Sequence, residues 1–232
     1  MIEDAPGNQL RVILGGGRRH LLPLDVPDHF NGSLYGKRLD GVNLIDKWQQ
    51  LRAKELRADQ YAFVNSTGGL NTVDYDKVEY LLGLFNHAHV SYDVERDPRE
   101  EPSLTERVEA AIKVLQKNDK GYVLLVEGGR IDHAHHDNWA NMALLETVAF
   151  DKAIESAAHI VNKDETLMVV TADHSHTLTI NGYPDRGNPI GGLSDQNETE
   201  THLPFTTLMY GNGPGHSFPR GRPLDYSKFC NN

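Results

Sequence analysis

A single cysteine, Cys230, stands in 232 residues, so no disulfide can form within the chain. On its own that suits a reducing compartment. No apolar run approaches the roughly 20 residues that cross a bilayer, and the opening MIEDAPGNQLRVIL lacks the basic-then-apolar layout of a secretory signal. Basic charge is also scarce: the formal net charge is -10, which excludes the electropositive footprint that nucleic-acid binding needs. Glycine (21) and proline (11) are near average, which excludes collagen-like and low-complexity classes. Gly15-Gly16-Gly17-Arg18 has neither the Gly-Lys-Ser/Thr of a P-loop nor a G-x-G-x-x-G spacing, so it reads as a tight turn after a strand. Internal repeats are absent.

What is present suits one ordinary globular domain, with 38% hydrophobic residues and length enough for a sizeable core. Three N-x-S/T sequons, at Asn31, Asn65 and Asn197, point to the secretory route and oppose the inference from the lone cysteine. The acidic balance favours cations as partners over phosphate esters, unless a local positive centre reverses the field.

Short apolar runs at 10–14, 61–64, 122–126, 167–171 and 206–210 read as strands, and 75–85 as a mostly apolar segment leading to a loop. Helical spacing appears at 41–57, where Leu44, Trp48, Leu51 and Leu56 share a face, and again from Asp132 to Val161. Ser103-Leu-Thr-Glu106 is a capping box that opens a third helix. The alternation of continuous apolar strands with helices indicates an α/β layered fold with a largely parallel central sheet flanked by helices. Residues 1–9 and 216–232 read as loose ends.

The chemistry concentrates after two of those runs. Glu127, Asp132, His133, His135 and His136 follow 122–126, and Asp173-His174-Ser175-His176 follows 167–171. Ligand sites of open α/β sheets lie outside the carboxyl ends of their strands, so both sets are expected on one rim. Asp132 and His136, at i and i+4, project from one helical face and can grip one ion. Mixed imidazole and carboxylate donors suit Zn²⁺, and a carboxylate-only position such as Glu127 suits Mg²⁺. An ordinary helix start also accounts for Asp132, a carboxylate at the positive end of the helix dipole. The solitary His20, His29, His87, His89, His159, His202 and His216 read as surface histidines.

The strings VEGGRIDHAHH (126–136) and TADHSH (171–176) resemble those of animal alkaline phosphatases. Support comes from VILGGGR (12–18), RLDG (38–41), GLF (83–85) and YGNGPG (210–215), in the order that the family uses, so that the resemblance covers roughly residues 10–215. It implies that family's α/β fold and hydrolysis of small phosphate monoesters with two zinc ions and one magnesium, through a phosphoserine intermediate. Asp132 and His136 would bind the first zinc, Asp173 and His174 the second, and Glu127 the magnesium. His133 would lie near the phosphate or magnesium, and His176 would orient a ligand. A calcium site is implied too, with Phe85 (through its carbonyl), Glu101 and Asp28 as candidate ligands and Asn86 where a carboxylate is usual. The resemblance further implies a homodimer and an extracellular or cell-surface setting.

The nucleophilic Ser, the phosphate-binding Arg, and the third ligand of the first zinc have no counterpart here. The chain is therefore expected to be a partial domain, incomplete at both ends, and inactive in isolation. Two alternatives stand beside that reading. One is a related metal-dependent phosphodiesterase or sulfatase; the other is a non-catalytic metal- or calcium-binding fragment.

Overall fold

The computed structural model describes residues 2–29, 31–195 and 204–213. Asn197, His202, His216, Cys230 and the tail at 216–232 lie outside them. The chain divides into two compact units, Met1–Gly128 with Leu145–Val169, and Gly129–Leu144 with Val170–Asn232.

The first unit is built on a parallel sheet of β1 (Val12–Gly15), β2 (Tyr61–Val64) and β3 (Tyr80–Leu84), in the order β1-β3-β2. Its register pairs Ile13 and Phe63 with Leu82. Successive side chains of a strand point to opposite faces, and here both faces are apolar because both are covered. Val12, Leu14, Ala62, Val64 and Leu81 join one cluster with Ala110 and Val114 of α3 (Leu104–Leu115) and Leu70 of α2 (Thr67–Asn71). Ile13, Tyr61, Phe63, Leu82 and Leu84 join another with Ile45 and Trp48 of α1 (Leu44–Glu55). This is the α/β architecture that the sequence predicts.

Local chemistry sets the helix ends. Asn43 caps α1 by accepting from the N–H groups of Ile45 and Asp46. Its buried positions are Ile45, Trp48 and Arg52, so of the expected face of Leu44, Trp48, Leu51 and Leu56 only Trp48 is fully buried, with Leu44 packed beside it. Arg52 takes the inner place because its guanidinium lies 3.9 Å over the Tyr80 ring and 5.9 Å from Trp48, a planar cation sandwiched on aromatics. The capping box forms as predicted: Ser103 Oγ accepts from Glu106 N–H at 3.2 Å, and Glu106 Oε2 accepts from Ser103 N–H at 2.7 Å. In β3, a Cβ on Gly83 would sit 2.6 Å from the Leu14 side chain and from the Phe85 ring, so a larger residue there would have to displace both.

Two expected strands are absent from this sheet. Residues 122–126 alternate half-buried and exposed side chains, but among the described residues they join no ladder. Leu124 and Val126 pack with Val108, Ile112 and Ala153, while Val123 and Leu125 are 95% and 90% exposed. Residues 167–171 behave likewise, with Leu167, Val169 and Val170 exposed. An apolar run signals a strand only when neighbours cover both faces, and these runs have one covered face at most. The helix expected over 132–161 is in fact two, α4 (Arg130–His136) and α5 (Ala140–Ile160). Asn138 breaks it with φ 58, a left-handed turn that asparagine tolerates better than most residues.

The second unit holds α4, the start of α5, and an antiparallel ribbon of β4 (Leu178–Ile180) and β5 (Leu208–Tyr210) in which Leu178 faces Tyr210. Hydrogen bonds hold its loops: buried Thr207 receives Asn188 Nδ2 at 2.8 Å and donates its N–H to Gly192 at 3.0 Å. Among the described residues, no helix is long and apolar enough to cross a membrane.

Candidate metal centre

Four of the predicted residues meet in the second unit, around one oxygen. Asp132 Oδ1 lies 2.9 Å from His176 Nε2, 3.4 Å from His136 Nε2 and 3.7 Å from His174 Nε2. The i, i+4 spacing on α4 brings Asp132 and His136 together, as the sequence predicts. The segment before β4 delivers the other two imidazoles. Three nitrogens directed at one carboxylate oxygen is an arrangement that a cation can replace, and Asp132, His136 and His176 offer ligand atoms within 4.8 Å of one another. Sequence reasoning gave His176 the part of orienting a ligand. Its hydrogen bond to Asp132 joins it to the cluster, and the same nitrogen is among the atoms that could hold an ion.

Electrostatics agree with this reading. Partial burial opposes ionisation of Asp132, but the hydrogen bond from His176 and the nearby His136 and His174 outweigh it and hold the carboxyl below its usual range. Asp132 is therefore ionised, the form a metal needs.

The remaining predicted residues are placed differently. Asp173 is 88% exposed at its side chain and turns back on its own loop, with Oδ1 accepting from His174 N–H at 3.1 Å and Oδ2 lying 3.5 Å from His174 Nε2. His133 lies 3.1 Å from Arg130 Nη1 through its Nδ1. Glu127 belongs to the first unit and is exposed.

His135 had no role in the sequence reading. Its Nδ1 is 2.8 Å from Tyr210 Oη, and its ring stacks on His176 with centroids 4.7 Å apart and planes at 21°. Burial raises the Tyr210 hydroxyl to about 12 and, with repulsion from His176, lowers His135. Tyr210 therefore keeps its proton and donates to a neutral imidazole. The only signals for this contact in the sequence were the bare letters His135 and Tyr210, 75 residues apart.

The candidate calcium residues line a cavity of about 220 Å³ in the first unit, with Arg18, Asp28, Phe85, Asn86, His87 and Glu101 in its wall. Arg18 donates Nε and Nη2 to the two carboxylate oxygens of Asp28, at 2.9 Å each, and Nη1 to the Leu84 carbonyl at 2.5 Å. His87 Nδ1 lies 3.0 Å from Asp28, which makes it a partner in a buried network and not the surface histidine expected. Glu101 accepts from Asn86 Nδ2 (2.8 Å), Ser91 Oγ (2.6 Å) and Ser91 N–H (2.8 Å). Asn31 is exposed and Asn65 half-buried.

Comparison with known proteins agrees with these features. The alkaline phosphatase family profile matches residues 1–222. The membrane-bound alkaline phosphatase of Bombyx mori is 44% identical over 215 residues, covering 93% of this chain and 38% of its own length. The human tissue-nonspecific isozyme is 43% identical over 213 residues, covering 90% and 40%. The crystal structure of Thermus thermophilus alkaline phosphatase superposes with a TM-score of 0.52 and 33% identity, over 65% of this chain and 28% of that one. The chain thus spans about two fifths of the length of these curated relatives. With its profile match, its close relatives and its α/β fold, the chain belongs to the alkaline phosphatase family.

Proposed function

We propose that this chain forms part of a phosphomonoester hydrolase and carries imidazole and carboxylate ligands of its metal centre. The single observation that carries the reading is the convergence of His136, His174 and His176 on Asp132. Their chemistry fits zinc: neutral imidazole and an ionised carboxylate are its usual donors, and catalytic sites take three protein ligands. Asp132 and His136 are assigned to one zinc ion, Asp173 and His174 to a second, and Glu127 to magnesium. Zinc bound there would polarise a phosphoryl oxygen and lower the pKa of a coordinated water.

The chain's own residues prepare that centre. His176 fixes the carboxylate of Asp132, and Arg130 steadies His133, which is assigned to the phosphate side. Small phosphate monoesters are the proposed substrates, and a homodimer at the cell surface or outside the cell is the proposed setting. The membrane-bound silkworm relative and the exposed sequon at Asn31 support that setting.

Calcium does not fit. Ca²⁺ takes six to eight oxygen ligands, whereas here Asp28 is gripped by a guanidinium and Glu101 by an amide N–H and two serine donors. At Asp28 the guanidinium supplies the positive charge that the ion would, and at Glu101 neutral donors occupy both carboxylate oxygens.

Hydrolysis of a chromogenic phosphate monoester by the full-length protein, wild type against Asp132→Ala, tests the activity. Loss of kcat by a factor of about 10² or more is expected for a metal ligand; unchanged turnover would refute the assignment.

A further inference from the structure

We infer that Tyr210 and His135 form a positioning pair that fixes the His176 ring, and through it the Asp132 carboxylate. The inference rests on the metal-centre reading above and extends it to two side chains outside the proposed ligand set. Tyr210 Oη is 2.8 Å from His135 Nδ1, the His135 and His176 rings stack at 4.7 Å, and His176 Nε2 is 2.9 Å from Asp132 Oδ1. These contacts run without a gap from the end of β5 to the carboxylate on α4.

The backbone holds both ends of this relay. Tyr210 faces Leu178, two residues beyond His176, so one antiparallel ribbon carries the hydroxyl and the imidazole that it governs. Gly211 N–H donates to the Thr177 carbonyl at 2.9 Å, and Thr177 Oγ1 donates to Asn212 Oδ1 at 2.9 Å. At the far end of α4, Asn138 Nδ2 donates to the Asn212 carbonyl at 3.0 Å. A Cβ on Gly213 would lie 2.5 Å from Asn138, so the loop leaving β5 presses against the turn that closes α4.

His135 is the link between the two ends. An imidazole with one ring nitrogen held cannot rotate about its last torsion, and its flat face then limits the tilt of the ring stacked on it. His176 is only 16% exposed, and its Nε2 makes the shortest contact to Asp132. Partners that orient metal ligands this way change metal affinity by about 10–100-fold when removed. His136 and His174, at 68% and 53% exposure, meet the His176 ring edge-on at 5.1 and 5.2 Å, so the more buried, stacked His176 is the ring against which both other imidazoles rest.

The test is Tyr210→Phe, which keeps the ring and deletes the hydroxyl, in the full-length protein. Zinc affinity is read by competition with a chromophoric chelator, and geometry by the visible absorption of the Co²⁺-substituted site. The expected result is about 10–100-fold weaker zinc binding, a changed Co²⁺ spectrum, and native helix content by circular dichroism. His135→Phe keeps the stacking face without the acceptor and should lose as much. The double variant should then be no worse than either single one, because the residues act as one unit. Met209→Leu, at an exposed position on the same ribbon, is the control and should bind like wild type.

Unchanged affinity and spectrum in both Tyr210→Phe and His135→Phe would overturn the pair. So would an equal loss in Met209→Leu, which would mean that the ribbon simply tolerates no change. No zinc binding by the wild-type protein would instead remove the metal-centre reading, and the pair's role with it.

Discussion

Replacing Asp28 by alanine removes the acceptor of two hydrogen bonds, each 2.9 Å, from a guanidinium whose side chain is 2% exposed. Arg18 keeps its contact with the Leu84 carbonyl, but its charge is then buried without the carboxylate. Deleting one partner of a buried ion pair costs about 3–5 kcal/mol. In a domain of this size about 2–4 °C of melting temperature goes with each kcal/mol. Asp28→Ala should therefore lower Tm by roughly 6–20 °C, by the same amount in EDTA as in millimolar calcium. Arg18→Met with Asp28→Leu, which removes both charges and keeps volume, should recover most of the loss. Thermal scans of the three proteins in both buffers make the measurement. If Asp28→Ala costs less than about 1 kcal/mol, the pair is not what holds this cavity together. If the wild type is stabilised by calcium and the variant is not, Asp28 is a cation ligand after all.

The same cavity yields a gain-of-function prediction. Asn86→Asp replaces an amide donor by a carboxylate beside Glu101, so Tm should fall in EDTA through like-charge repulsion and rise with calcium; a calcium-independent Tm would refute it. Ser103→Ala removes the hydroxyl that caps α3 and should cost about 0.5–2 kcal/mol in urea unfolding; a cost near zero would mean that Glu106 does the capping alone. At Asp97, the hydrogen bonds from the Arg99 guanidinium and backbone N–H hold the carboxyl at about 2, below its ordinary 3.8. The unfolded chain binds more protons in that interval. The stabilisation is therefore complete above the unfolded value and lost as pH falls towards about 2. Asp97→Asn should flatten the pH dependence of Tm there, less so at high salt, and an unchanged slope would contradict the pairing.

How much of this was legible depends on whether the cause was local. Ser103 and Glu106 lie three residues apart, so the start of α3 could be read directly. The strands β1 and β2 were equally plain, because both faces of their sheet are covered and their residues are apolar throughout. Asp132 and His136 could be paired from helical spacing alone. The apolar run at 122–126 misled because periodicity reports what a segment can bury and not which neighbour pairs with it. Val123 and Leu125, almost wholly exposed, are the evidence. Asn138 broke the long helix through a backbone angle that the apolar spacing on either side did not signal. The contacts of His135 with Tyr210, and of His87 with Asp28, join residues 75 and 59 apart. Nothing in local pattern marks such pairs. The buried Arg18–Asp28 pair was hidden for the same reason, since Arg18 read as the end of a glycine turn and Asp28 only as a candidate calcium ligand.

The most direct measurement of the metal centre is zinc binding to the metal-stripped full-length protein, followed by chelator competition. Saturable binding of at least about one equivalent is expected, lost in Asp132→Ala and His136→Ala and kept in Asp97→Ala. Absence of saturable binding, or equal binding by Asp132→Ala, would contradict the metal-centre reading.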